Sequence, residues 1–152
     1  MIKNTLIYVE RDGKYLMLHR VKKQGDVNKD KWIGVGGKLE EGETPEMCAR
    51  REMLEETGLT ARALAYRGIV NFYNTVCPHE EMHLFTCADF SGEVIECDEG
   101  VLEWVDKNDI EKLNIWEGDR IFLRLLNENR PFFILTLNYE GDRLISHELI
   151  YA

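Results

Sequence analysis

The stretch Gly37-Lys38-Leu39-Glu40-Glu41-Gly42-Glu43-Thr44-Pro45-Glu46-Met47-Cys48-Ala49-Arg50-Arg51-Glu52-Met53-Leu54-Glu55-Glu56-Thr57-Gly58-Leu59 carries the densest structural signals in the chain. Its second half predicts a helix over residues 45–57. Thr44 is a good N-cap, Pro45 suits the first helical position, and Gly58 followed by Leu59 has the form of a left-handed C-terminal cap with its hydrophobic contact. Glu52, Glu55 and Glu56 then fall at i, i+3 and i+4, so three carboxylates share one strip of the helix. At roughly 6 Å and an effective dielectric near 20, each like-charge pair costs on the order of 3 kcal/mol. A bare Glu-x-x-Glu-Glu is most simply a solvated acidic face paired with Arg50 or Arg51. Ala49 and Met53 on one side of the strip, with Met47 and Leu54 on the other, predict instead a helix packed from two directions whose carboxylates line a cleft. A hard divalent cation such as Mg²⁺ relieves that repulsion and bridges carboxylates to substrate phosphates.

Upstream of this segment, residues 3–11 and 14–19 are rich in Ile, Val, Leu and Tyr around Asp12-Gly13, which predicts an antiparallel hairpin. A loop follows over residues 24–31, and a short apolar piece, 32–35, leads into Gly36-Gly37. Downstream, strands are expected at 61–73, 82–90 and 101–105, short helices near 108–112 and 119–127, and a last pair of strands at 132–139 and 143–150 around Glu140-Gly141-Asp142. Helices interspersed among strands imply a mixed β-sheet covered by helices, a single α/β domain.

Composition narrows the function classes. The chain has 152 residues, with 19 Lys plus Arg against 28 Asp plus Glu, a formal charge of −9 that repels the backbone of long nucleic acids. No nucleic-acid polymer is expected as a partner. Between Arg20 and Lys38 the balance reverses: Arg20, Lys22, Lys23, Lys29, Lys31 and Lys38 face only Asp26 and Asp30, so this segment suits a small polyanion or is a solvated basic loop. The uncharged stretch at residues 131–139 is too short to span a bilayer, and no signal-like segment precedes the first apolar run. A cytoplasmic protein without a membrane partner is the expectation. Cys48, Cys77, Cys87 and Cys97 stand far apart with no CxxC pair, and read as reduced thiols. No Ser, Cys or His stands in a recognisable nucleophile–base arrangement, and His19, His79, His83 and His147 read as ordinary surface or core histidines.

From Gly37 the chain reads Gly, five residues, Glu43, seven residues, then Arg51-Glu52-Met53-Leu54-Glu55-Glu56-Thr57-Gly58-Leu59. This resembles the signature box of the Nudix hydrolases, here residues 37–59, with nine defined positions at the family's spacing. The order of elements around the box extends the resemblance over residues 1–152 and implies the family's α/β/α sandwich, with a mixed β-sheet in one domain. By resemblance, Glu52, Glu55 and Glu56 hold Mg²⁺, for which Mn²⁺ substitutes, and the main-chain carbonyl of Gly37 adds a ligand. Arg51 orients the carboxylates with Glu43, Gly36 permits close backbone approach, and Gly58 ends the helix. Glu99, in a loop beside Gly100, lies where many members supply a further metal ligand or a base. The proton acceptor for the attacking water stays open among Glu55, Glu56 and Glu99.

The resemblance implies hydrolysis of a diphosphate linkage. Residues 31–59 are similar to nucleotide-pool members of the MutT and oxidised-purine triphosphatase type, which convert a nucleoside triphosphate to monophosphate and pyrophosphate. An oxidised purine such as 8-oxo-dGTP is one candidate substrate. Trp116 and Asp119 fall in the segment where such members stack on and hydrogen-bond the base; a core anchor and a helix N-cap are their structural alternatives. Lys23, Lys38 and Phe72 complete the candidate substrate contacts. Ile33 stands where those members carry a base-reading asparagine, and Gly118 replaces one of an acidic pair. ADP-ribose, a dinucleotide or a nucleotide sugar is the alternative substrate, a non-catalytic nucleotide-sensing module the alternative function, and monomer and homodimer are both open.

Overall fold

The computed structural model describes every residue except 23 and 27. Strand β1 (Ile2–Arg11) turns at Asp12-Gly13 into β2 (Lys14–His19), and the two-residue β3 (Trp32–Ile33) pairs with β2. Helix α1 (Pro45–Thr57) follows, then β4 (Thr60–Asn74), β5 (Glu80–Ser91) and β6 (Val101–Asp106). A 3-10 turn at Ile110–Lys112 precedes α2 (Glu117–Asn127), and β7 (Phe133–Glu140) and β8 (Arg143–Tyr151) close the chain.

The strands form one mixed sheet in the order β3-β2-β1-β5-β4-β7-β8, with β6 also on β2. The β1/β5 and β4/β7 pairs are parallel and the rest antiparallel. Strand alternation divides the core in two. Leu6 and Tyr8 of β1 point into a cluster with Phe122, Leu123 and Leu126 of α2, while Ile7 and Val9 point the other way, onto Ala49 and Met53 of α1. One helix therefore covers each face of the sheet, as the sandwich expectation requires.

Residues 34–39 prolong the sheet along the lower half of β1. Ile7 N donates to Val35 O (2.6 Å), Thr5 N to Gly37 O (2.9 Å) and Leu39 N to Lys3 O (3.1 Å). Gly36 has no room for a side chain here, because a Cβ would lie 1.9 Å from Thr5 O. The glycine loop is thus clamped to a central strand.

Two expectations are corrected. Helix α1 is seated from one side only: Ala49 and Met53 are fully buried, but Met47 and Leu54 stay 54% and 49% exposed. No element among the described residues covers them. Helix α2 begins at Glu117 rather than 119, with Trp116 in the N-cap position, so Asp119 lies inside the first turn and is no N-cap. Tyr139 reaches across from β7 and accepts from Gly118 N at 2.6 Å, doing for that amide what a capping side chain does elsewhere. The four cysteines are free. No helix among the described residues is long and apolar enough to cross a membrane.

Candidate active site

The helix signals at residues 44–58 act as expected. Thr44 Oγ1 accepts from Met47 N at 3.2 Å, and Gly58, at φ 79°, donates to Leu54 O at 2.9 Å. With both ends fixed and Met53 buried against the sheet, the carboxylate strip lies along the margin of the seat, graded from inside to outside. Glu56 is 8% exposed, Glu52 half-buried, and the Glu55 side chain 58% exposed.

Arg51 organises this margin. Its Nε and Nη2 grip Glu43 Oε2 and Oε1 at 2.7 and 2.9 Å, a two-pronged pair. Its Nη1 donates to Glu52 Oε1 (2.8 Å) and Glu55 Oε2 (3.2 Å), and its Nη2 to Lys38 O (3.2 Å). Arg51 drives the Glu43 carboxyl down to about 2, so Glu43 stays ionised and keeps its grip. Burial pushes Glu52 up, against the pull of Arg51. Glu56 is pushed well above the ordinary range by burial and by Glu99 beside it, although Gly36 N donates to its Oε2 at 3.0 Å. Glu99 is held from the other side by Arg20 Nη1 at 3.5 Å.

These groups open onto a cavity of about 660 Å³ that also takes in Gly36, Gly37 and Lys38. The lack of a side chain at Gly37 matters, since a Cβ there would lie 2.6 Å from the Glu52 carboxylate. The donors are all oxygens, the set a hard divalent cation prefers. Among the described residues no three acidic, cysteine or histidine side chains converge as they stand to hold an ion. Glu52 and Glu55 are turned to Arg51, and Gly37 O is engaged by Thr5 N. Crowded carboxylates, with burial pushing Glu52 and Glu56 up and only Arg51 and Arg20 beside them, suit an added cation, so the residues present fit a metal.

The same cavity runs on to an aromatic end. Trp116 and Phe72, 7% and 9% exposed, meet edge to face at 5.6 Å, and Trp116 Nε1 donates to Asn28 Oδ1 at 2.7 Å. Asp119 lines this end, and burial pushes its carboxyl up to about 8, with Lys31 and Arg120 pulling the other way. Ile33 lines the wall between the two ends.

Arg51, Glu52, Glu56, Glu99, Gly36, Gly37, Lys38, Ile33, Phe72, Trp116 and Asp119 therefore meet around one cavity. Glu55 stays outside on Arg51, Glu43 acts from behind, Gly58 ends α1, and Lys23 lies outside the described residues. Sequence reasoning counted Arg20 and Asp26 only in the charge balance of the basic segment 20–38 and missed Asn28, Asn4 and Glu80; all five also line the cavity. Asn4 had left a signal, because asparagine is disfavoured inside a strand. Arg20, Asp26 and Asn28 were hidden in ordinary loop composition.

Comparison with known proteins agrees with this arrangement. The NUDIX domain family model matches residues 3–126. The chain is 33% identical to the oxidized purine nucleoside triphosphate hydrolase of Danio rerio over 95% of its own length and 92% of that protein's. It is 30% identical to the Mus musculus protein of the same name, with the same coverage. A MutT protein from Bacillus halodurans superposes with a TM-score of 0.86 at 26% identity, covering 98% of this chain and 97% of that one.

Proposed function

The chain belongs to the Nudix domain family, and from that premise we propose that it hydrolyses a nucleoside triphosphate, an oxidised purine nucleotide among the candidates, to the monophosphate and pyrophosphate. One observation carries the reading: a single cavity of about 660 Å³ joins an oxygen-rich acidic end to an aromatic end holding a buried acid. That volume suits one nucleotide. The names of the Danio rerio and Mus musculus relatives support the substrate class.

Nudix hydrolases act with a divalent cation; here we assign Mg²⁺, with Mn²⁺ as substitute, to Glu52, Glu55, Glu56, Glu99 and the Gly37 carbonyl, which would hold it. When bound, it would supply charge neutralisation on the phosphates and activation of water. The chain's own residues do the rest. Glu43 holds Arg51, and Arg51 fixes the orientation of the carboxylates. The Glu56–Glu99 pair takes the proton of the attacking water. Lys38 and Arg20 line the route between the two ends and face the phosphates, while Trp116 and Phe72 flank the base and Asp119 meets its edge. Strands β7 and β8, beyond the matched residues, belong to the same domain because β7 pairs with β4.

The test is release of pyrophosphate from a panel of normal and oxidised nucleoside triphosphates, alongside ADP-ribose and a nucleotide sugar, with Mg²⁺, Mn²⁺ or chelator. Pyrophosphate and monophosphate from the triphosphates, lost on chelation, are expected. Turnover of ADP-ribose or the sugar nucleotide alone would overturn the substrate class, and full activity in chelator would overturn the metal assignment.

A further inference from the structure

The cavity has a second polar corner that the signature box does not account for. Asn4 lies on β1 on the same face as Leu6, level with Met82 of β5, and Glu80 precedes Met82 by one side-chain repeat on that face. All four residues line the cavity. Glu80 is half-buried and makes no ion pair among the described residues. Burial pushes the Glu80 carboxyl up, while the neighbouring Asn4 amide and the Lys38 charge favour its ionised form. A carboxylate only accepts, so this contact turns the Asn4 NH₂ toward Glu80 and leaves the Asn4 Oδ1 as a spare acceptor. That oxygen is buried with no partner.

An unpartnered buried carbonyl and an unpaired, half-desolvated carboxylate are costly side by side in an empty cavity. Lys38 lends its charge to Glu80 but makes no ion pair with it among the described residues, and the valences left in the corner are acceptors. The occupant that satisfies them must bring hydrogen-bond donors, and phosphate oxygens bring none.

We propose that Glu80, positioned by Asn4, is a specificity-determining residue that accepts from an exocyclic amino group of the nucleotide base. This deepens the nucleotide reading and rests on it. It also supplies polar discrimination in a cavity where Ile33 offers no hydrogen bond. The corner selects purines by their amino substituents, and Asn4 acts only through the orientation of Glu80.

The test uses product-type ligands, so that turnover does not enter. Titration calorimetry on the whole chain compares dGMP with dIMP, which lacks the 2-amino group, and dAMP with purine deoxyriboside monophosphate, which lacks the 6-amino group. GMP against dGMP reports a sugar hydroxyl as donor. Wild type is expected to favour the amino-bearing member of at least one base pair by about tenfold, the scale of one hydrogen bond to a charged group. Glu80→Leu abolishes that ratio and Asn4→Leu reduces it, with binding of the amino-free member unchanged. Both variants should keep or raise the melting temperature, because each removes an unsatisfied polar group.

An amino-group ratio that is the same in wild type and Glu80→Leu overturns the proposal while the nucleotide reading stands. So does a change confined to the GMP and dGMP pair. Failure of every monophosphate to bind wild type overturns the nucleotide reading itself, and this assignment with it.

Discussion

The two ends of the cavity handle acidic groups in opposite ways. At the signature end, Glu52 and Glu55 share the Arg51 guanidinium while Glu56 crowds against Glu99, which Arg20 holds, and charge is kept in place by geometry: Arg51 is locked by Glu43 at 2.7 and 2.9 Å. At the aromatic end a lone carboxyl, Asp119, sits 6% exposed with its pKa pushed up to about 8, so burial holds it neutral over most of the physiological range. The first arrangement waits for a cation, and the second presents both a donor and an acceptor to a neutral ligand edge. On the proposed reading, the contrast lets one small cavity take a highly charged phosphate chain and an uncharged base without the two competing for the same groups.

The contrast breaks most visibly at Glu56. Glu56→Gln and Glu55→Gln are each expected to lower kcat by at least about 10²-fold, the scale for removing a group that acts on charge in the transition state. Only Glu56→Gln should also raise metal-free stability, since Glu56 is buried beside Glu99 and Glu55 is exposed on Arg51. Steady-state kinetics with Mg²⁺ and thermal melts in chelator check both parts. Near-wild-type turnover in the pair would take the α1 carboxylates out of the chemistry.

Trp116→Ala attacks the other end. It should weaken binding by about 1–3 kcal/mol for every base, the range for one base–aromatic stack, and appear in KM with kcat nearly unchanged. A fall in kcat with KM constant would place Trp116 with the phosphate chemistry.

How legible each end was in the sequence follows from how each is built. The acidic end comes from 23 consecutive residues, where helix periodicity and capping residues fix the side-chain geometry locally, and so the expected helix 45–57 matches α1 (Pro45–Thr57). The hairpin and the later strands were likewise readable from alternation and turn residues. The aromatic end is assembled from Asn28, Phe72, Trp116 and Asp119, on three separate segments brought together by tertiary packing that no local pattern encodes. Its best signals, Trp116 and Asp119, were available only through resemblance to a family. The exposed Met47 and Leu54 were misread for the same reason: which flank of a helix is covered depends on distant elements, and here none of the described residues covers that flank.

Asp119 also gives the contrast a pH signature. Its folded pKa is raised, so the native state holds a proton that the unfolded chain releases near pH 4, and stability falls as pH rises from about 4 to about 8. Asp119→Asn removes that loss. The variant should match wild type near pH 4 and exceed it by about 1 kcal/mol or more at pH 8, a rise of roughly 2–4 °C in Tm. The same substitution should reorder the purines by kcat/KM, because an amide cannot ionise. A Tm difference independent of pH would mean that Asp119 is ionised in the folded protein.

The smallest effect is expected at Ile33, on the wall between the two ends. Ile33 pairs with Leu18 through β3 and packs beside both core clusters, so its side chain presents only apolar surface to the cavity. An apolar contact rejects a changed base substituent weakly, whereas a group that must form a hydrogen bond rejects its absence more strongly. Ile33→Asn exchanges one for the other at a partly buried position. If its amide meets the base, the gain is one hydrogen bond, about 0.5–1.5 kcal/mol, or roughly three- to tenfold in the ratio of kcat/KM between oxidised and normal dGTP. Stability should fall by a similar amount, since the amide replaces an aliphatic contact with both cores. Measuring that ratio in wild type and Ile33→Asn, with dATP and dCTP as controls, separates two outcomes. A ratio that moves while the controls hold places the base edge against β3; a ratio that stays while Asp119→Asn moves it places the whole of base reading at α2 and the cavity floor.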